Sequence, residues 1–390
     1  MASTAGIPRA VWVLGLVSLF MDVSSELIHS LLPVFMVTSL GATALMVGVV
    51  EGVAESTALI VKVFSGTISD WLGKRKGLTV LGYGLGAISK PVFALAVTVH
   101  WVFAARFLDR IGKGIRGAPR DALIADLTPP EIRGAAYGLR QSLDTVGAFV
   151  GPLLAIGLMI LWAGDFRAVF WFSVIPAILA VLILVFGVRE PQAGRSAARP
   201  TSPVLWHSLR EFSGAYWWVV VAGGIFTLAR FSEAFLILRA QQLGLADTFA
   251  PLVLVIMNVV YAASAYPMGR LADRMSHGKL LAAGLAVLVF ADIVLAQAQG
   301  LAAVTAGVVL WGLHMGMTQG LLSAMVAGAA PAQLRGTAFG FFNLVSGVAM
   351  LIASVLAGLL WDQLGAAITF YAGAAFSVLA LALLILRRGS

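Results

Sequence analysis

Long apolar runs, broken at regular intervals by short clusters of charge, fill the chain from one end to the other. A helix needs about 20 apolar residues to cross the roughly 30 Å hydrocarbon core of a bilayer. By that measure the runs predict twelve spanning helices, over 10–38, 44–66, 77–97, 100–125, 136–162 and 165–188, then 214–240, 248–269, 279–298, 301–328, 337–361 and 365–386. No run alternates apolar and polar residues over the ten or so positions of a barrel strand. The expected fold class is therefore an all-α membrane protein. Composition agrees: 60% of the 390 residues are hydrophobic, 11% are charged and the mean hydropathy is +0.96. Soluble domains carry about a quarter charged residues, so this chain cannot cover itself with polar surface and takes the lipid bilayer as its solvent.

The net charge of +8 and the isoelectric point near 10.1 would suit a nucleic-acid partner only if the basic residues shared a soluble face. They fall instead in short inter-helix loops, so no nucleic acid is expected. Arg9, Lys74, Arg75, Lys76, Arg133, Arg189, Arg210, Arg270, Arg274, Lys279, Arg335 and Arg387 share one side of the predicted topology, and the opposite loops hold little beyond Arg167. Cytoplasmic loops carry the excess of Lys and Arg, which puts both termini in the cytoplasm of a multi-pass cell (inner) membrane protein. There is no cysteine, which excludes disulfides and thiolate metal sites. Met1 to Pro8 lack a signal-peptide pattern, so the first apolar segment is expected to stay as a helix.

The segment 189–213 is polar and rich in Pro, Ala and Arg, and it reads as a cytoplasmic linker between six-helix bundles at 1–188 and 214–390. The two halves repeat. Gly66-Thr-Ile-Ser-Asp70 matches Gly269-Arg-Leu-Ala-Asp273, and Pro129-Pro-Glu-Ile-Arg133-Gly matches Pro331-Ala-Gln-Leu-Arg335-Gly, at offsets of 203 and 202. Two matches at nearly one offset indicate tandem duplication, with a substrate path between the halves near mid-membrane.

Gly66-Thr-Ile-Ser-Asp70-Trp-Leu-Gly73-Lys74-Arg75-Lys76 resembles the signature loop between helices two and three of the major facilitator superfamily. The second copy keeps Gly269, Asp273 and Arg274. The resemblance implies two pseudo-symmetric six-helix bundles (the major facilitator fold) and a gate at Gly66, Asp70, Gly73, Lys74, Arg75, Gly269, Asp273 and Arg274. Arg110-Ile-Gly-Lys113-Gly114 resembles the family's Arg-x-x-Gln-Gly motif, associated with proton coupling, with Lys113 in place of Gln. Gly147-Ala-Phe-Val-Gly151-Pro152 resembles the motif associated with exporters that exchange solute for protons.

Ionisable residues inside the spans are the expected functional groups, because each lone charge at the bilayer centre costs roughly 2.5–3.5 kcal/mol. Asp22, Glu26 and His29 share one face of helix one, and Glu51, Glu55 and Lys62 one face of helix two. Asp109, Lys113, Arg116 and Arg120 form a ladder on helix four beside Arg106 and Arg110, while Arg140 and Asp144 lie one turn apart on helix five. Structural ion pairing and function both account for such a set. Glu26, Asp22 and Asp144 are the expected proton carriers. Lys113, Arg116, Arg110, His29, Glu51 and Glu55 are expected at the substrate, joined from the less charged second half by Arg230, Glu233, Asn258, Tyr261, His314 and Asn343. His314-Met315-Gly316-Met317 admits a soft-metal reading, but packing accounts for it, and no metal site is expected.

These features predict a monomeric secondary active transporter moving a small polar or anionic solute, such as an organic acid or metal chelate, by alternating access with proton-coupled export. A drug:proton antiporter and a proton-coupled importer are the alternatives. No His-Glu-x-x-His, Gly-x-Ser-x-Gly or thiol nucleophile suggests an enzyme, no phosphate-binding loop suggests a pump, and no cofactor is expected.

Overall fold

The computed structural model describes residues 6–72, 74–189, 206–272, 274–318, 320–331 and 334–386. Among these residues the regular structure is helical. The helices are α1 (Arg9–His29), α2 (Leu32–Leu40), α3 (Ala44–Leu72), α4 (Arg75–Ala94), α5 (Val99–Leu127), α6 (Arg133–Leu161), α7 (Phe166–Gly187) and α8 (Gly214–Ala229), followed by α9 (Ala234–Gln242), α10 (Leu252–Ala272), α11 (His277–Gln297), α12 (Leu301–Thr318), α13 (Leu321–Ala329), α14 (Arg335–Leu364) and α15 (Ala366–Leu386). Ten helical segments among the described residues are long and apolar enough to cross a membrane. The two expected spans outside that set are α4 and α5.

Three expected spans are each two helices. The first divides between His29 and Leu32, because Pro33 has no N–H to give the preceding turn. The seventh divides at Arg230–Glu233, where the Ser232 N–H turns to Ser354 Oγ of α14 at 3.3 Å. The tenth divides next to Gly320, whose φ of 79° is left-handed backbone that favours glycine.

The chain forms two compact units. The first comprises Met1–His29 and Thr57–Pro203. Here α4 and α5 approach through Gly82 and Gly112; a Cβ on Gly82 would lie 2.6 Å from the Gly112 carbonyl oxygen. Val11, Leu14, Val17, Met21, Leu123 and Ala177 form the apolar core of this unit. Ser24 of α1 donates to the Ser173 carbonyl of α7 at 2.7 Å.

The second unit comprises Ser30–Ser56 and Val204–Ser390. α10 seats against α12 at Gly312, where a Cβ would meet the Met257 carbonyl oxygen at 2.5 Å. The opening turns of α3 pack on α14, and Asp362 of α14 accepts from the Ala44 and Leu45 N–H groups at 3.0 and 2.9 Å. Buried Arg239 donates to the carbonyls of Leu295, Ala296 and Ala298, satisfying the end of α11. Helix C-termini leave unpaired carbonyls and a partial negative charge, which explains a cation at that place.

Candidate functional site

In the first unit, α1, α4, α5 and α6 converge on a network of buried charge. Lys90 and Asp109 form its most enclosed pair, 2.8 Å apart with side chains 1% and 4% exposed. Ser25 of α1 accepts from Lys90 at 3.0 Å, and Arg110 stands 3.8 Å from the other oxygen of Asp109. Burying one charge of such a pair alone is prohibitive, whereas two with added hydrogen bonds satisfy one another. Lys90 is therefore part of the site although it was not among the expected residues. Its signal in the sequence was a single Lys within an otherwise apolar run, next to Pro91.

One turn further along α5 from the expected Lys113, Arg116 is 5% exposed. Its guanidinium lies 4.6 Å over the ring of fully buried Tyr83 and 3.9 Å from Asp22 of α1. Nη1 of Arg116 has no hydrogen-bond partner among the described residues. The Tyr83 hydroxyl meets Ser18 at 3.0 Å, and Arg120 donates to Ser18 at 3.1 Å. Lys113 is exposed and acts electrostatically on both Asp22 and Glu26.

The structure pairs the three expected proton carriers differently. Glu26 is 3.3 Å from Nδ1 of His29, its neighbour one turn on, and Asp144 is held by Arg140 across one turn of α6. Asp22, whose one described ion-pair contact is the 3.9 Å approach to Arg116, is held most loosely. The exporter-like glycines sit directly behind these carboxylates. A Cβ on Gly147 would lie 3.0 Å from the Asp22 Cβ, and one on Gly151 2.9 Å from the Glu26 Cβ. Pro152 is buried beside them in α6.

The gate residues are only partly within view. Gly73 and Asp273 lie outside the described residues, as does the side chain of Asp70. Gly66 faces Ala118 of α5 at ordinary contact distance, Lys74 precedes α4 in the open, and Arg75 pairs with Asp126 at 2.9 Å. Gly269 has open space around it, and Arg274 is exposed.

The second unit brings Glu233 and Tyr261 within electrostatic reach of Arg230, which stands at the break between α8 and α9. Arg230 lies 5.8 Å over the Phe226 ring. Fully buried His314 holds Nδ1 2.8 Å from the Gly284 carbonyl oxygen, which ties α12 to α11. Asn258 and Asn343 are half-buried, and Glu51, also in this unit, is 1% exposed while Glu55 is half-buried. Among the described residues no three acidic or histidine side chains gather as metal ligands.

Ten apolar helical segments among the described residues, with charges buried and paired beside them, are the architecture of a multi-pass membrane protein. The chain belongs to the Major Facilitator Superfamily, whose family model matches residues 14–239 and 219–390. It is 31% identical over 387 residues to an uncharacterized MFS-type transporter of Methanocaldococcus jannaschii, covering 97% of this chain and 94% of that one. Shorter similarities reach the probable galactarate/D-glucarate transporter GudP of Escherichia coli, 33% identical over 42% of this chain and 39% of that one, and the multidrug resistance protein MdtH of Edwardsiella ictaluri, 31% identical over 37% and 35%. Among solved structures, a point mutant of the nucleoside transporter NupG superposes with a TM-score of 0.79 at 13% identity, covering 97% of this chain and 99% of that one. That last likeness concerns the fold alone.

Proposed function

We propose that this transporter carries a small anionic or strongly polar solute, with organic dicarboxylates as the first class to test, and moves a proton with it. The observation that carries this reading is Arg116: buried, held 3.9 Å from Asp22, and with Nη1 unpartnered. A guanidinium presents five donors in a planar fork that matches a carboxylate. Exposed Lys113, one turn away, supplies a second positive charge on the same face. An anion seated on Arg116 competes with Asp22 for the guanidinium. Asp22, released into a low-dielectric setting, then takes up a proton, so anion and proton bind together. Glu26 and Asp144 are the next candidates for that proton. The partial likeness to GudP agrees with an acidic sugar such as galactarate.

On this reading α4 and α5 also cross the membrane, their charges matched within the bundle. The chain is then a monomer of twelve spans in two duplicated halves at 1–188 and 214–390, with both termini in the cytoplasm and the signature loops as its gate. A second reading keeps the direction expected from the exporter-like motif: organic cations bind Asp22 and Glu26 in exchange for protons. The seating of Gly147 and Gly151 against those two residues and the partial likeness to MdtH favour it.

Ligand stabilisation of the purified protein separates the two. A ligand at 100 times its dissociation constant stabilises by about 2.7 kcal/mol. Galactarate is expected to raise the melting temperature of the wild type and not of Arg116→Gln. Stabilisation by quaternary ammonium compounds and not by dicarboxylates would favour the second reading.

A further inference from the structure

Asp292 of α11 is fully buried, and neither carboxylate oxygen has a hydrogen-bond partner among the described residues. Its surroundings are close-packed and apolar. A Cβ on Gly373 of α15 would lie 2.7 Å from Asp292 Oδ2 and 2.9 Å from the Phe231 ring, so the glycine makes the room in which the carboxyl sits. Phe231 belongs to the break between α8 and α9, and its ring stands 5.5 Å from Trp311 and 5.6 Å from Phe370. The indole N–H of Trp311 is also buried without a partner.

The titratable and charged groups on the elements packed around α11 are directed elsewhere. On α12, His314 meets α11 at Gly284, eight residues and therefore about 12 Å along the helix from Asp292. On α15, Tyr371 is 40% exposed. Arg239 of α9 spends its donors on Gln242 and on the carbonyls of Leu295, Ala296 and Ala298. Tyr261, Tyr266 and Arg270 of α10, and Arg230 and Glu233 at the helix break, make no hydrogen bond or ion pair with Asp292.

An isolated carboxylate is not tolerated in such a medium; the group neutralises by holding a proton. We propose that Asp292 is a proton-binding site of the second unit, loaded while Phe231 closes the helix break over it and unloaded when that break opens. In the unloading step the carboxyl O–H bond breaks, the proton passes to an entering water to give hydronium, and the carboxylate is left to the water that has entered. Reloading reverses each of these. A narrow crevice of about 10 Å³, room for about one water, is lined by Phe231 and Gly373, and on this proposal water reaches Asp292 past these two residues. The proton site stands on this geometry alone, while its use in transport rests on the proton-coupled reading above.

Infrared spectroscopy of the full-length purified protein tests the site without knowledge of the substrate. At neutral pH the wild type is expected to show a carboxylic acid carbonyl band that Asp292→Asn lacks and that Gly373→Ala, which crowds Oδ2, shifts. Transfer into D₂O is expected to move the band, because the site exchanges as the break opens. A wild-type spectrum identical to that of Asp292→Asn in the carboxylic acid region overturns the proposal, and so does a band that D₂O never moves. The Gly373→Ala comparison keeps the test valid if Asp292→Asn does not fold. Absence of pH-driven flux in the wild type would sink proton coupling, while the band still decides the site.

Discussion

Removing one partner of the Lys90–Asp109 pair is expected to destabilise the first unit far more than removing both. At 2.8 Å, an effective dielectric constant of about 20 gives an attraction of roughly 6 kcal/mol before the desolvation of both ions is subtracted. Desolvation offsets most of that, so the intact pair adds little over an apolar replacement, but an abandoned buried charge costs about 3–5 kcal/mol. The two single variants differ in what they leave behind. Lys90→Met leaves Asp109 facing Arg110 at 3.8 Å, so its loss belongs near the lower end. Asp109→Asn leaves the Lys90 ammonium with the Ser25 hydroxyl and an amide, so its loss belongs near the upper end. Thermal unfolding of the detergent-solubilised single and double variants, read by the fraction remaining monodisperse after heating, measures this. The double variant is expected to recover at least about 2 kcal/mol relative to the sum of the singles. Additivity within about 0.5 kcal/mol, the behaviour of independent sites, would refute the reasoning.

Three other expectations follow from the packing. Gly151→Leu forces a side chain against the Val23 carbonyl, the Leu27 N–H and the Glu26 Cβ, and overpacking of this kind costs about 1–3 kcal/mol; transport should fall, and normal turnover would mean α1 and α6 separate without loss. Asp362→Ala removes a cap from two N–H groups of α3, worth about 0.5–2 kcal/mol, and should raise thiol labelling of Met46→Cys, which the absence of native cysteine makes selective. Arg239→Met strips charged donors from three carbonyls, each worth about 1.5–3 kcal/mol; the variant should unfold at lower temperature, and an unchanged melting temperature would show those carbonyls satisfied by other means.

Ten of the twelve expected spans were legible because lipid demands long apolar helices, and a run of that length admits few other readings. The acidic face of α1 and the basic ladder of α5 were legible because their members recur one turn apart. Lys90 and Asp292 escaped because neither has a charged residue one turn away on its helix; Lys90 finds its partner 19 residues away on a neighbouring helix, and Asp292 has no hydrogen-bond partner among the described residues. The break at Arg230–Glu233 contains neither Pro nor Gly and depends on a hydroxyl from Ser354, which no local pattern announces. The break before Pro33 was announced, but the apolar run continues through it. Pairing also revised the emphasis among the carboxylates: Glu26 has His29 and Asp144 has Arg140, which leaves Asp22 opposite Arg116, a buried guanidinium whose Nη1 has no hydrogen-bond partner among the described residues.

The most direct test of joint anion and proton movement is flux in reconstituted liposomes of the wild type and Asp22→Asn, with a labelled organic dicarboxylate and a pH-sensitive dye inside. An inwardly directed proton gradient is expected to drive dicarboxylate accumulation in the wild type, and an inward dicarboxylate gradient is expected to acidify the lumen. Asp22→Asn should lose both effects. Dicarboxylate uptake that alkalinises the lumen, or that proceeds to the same level with no proton gradient, would contradict the account.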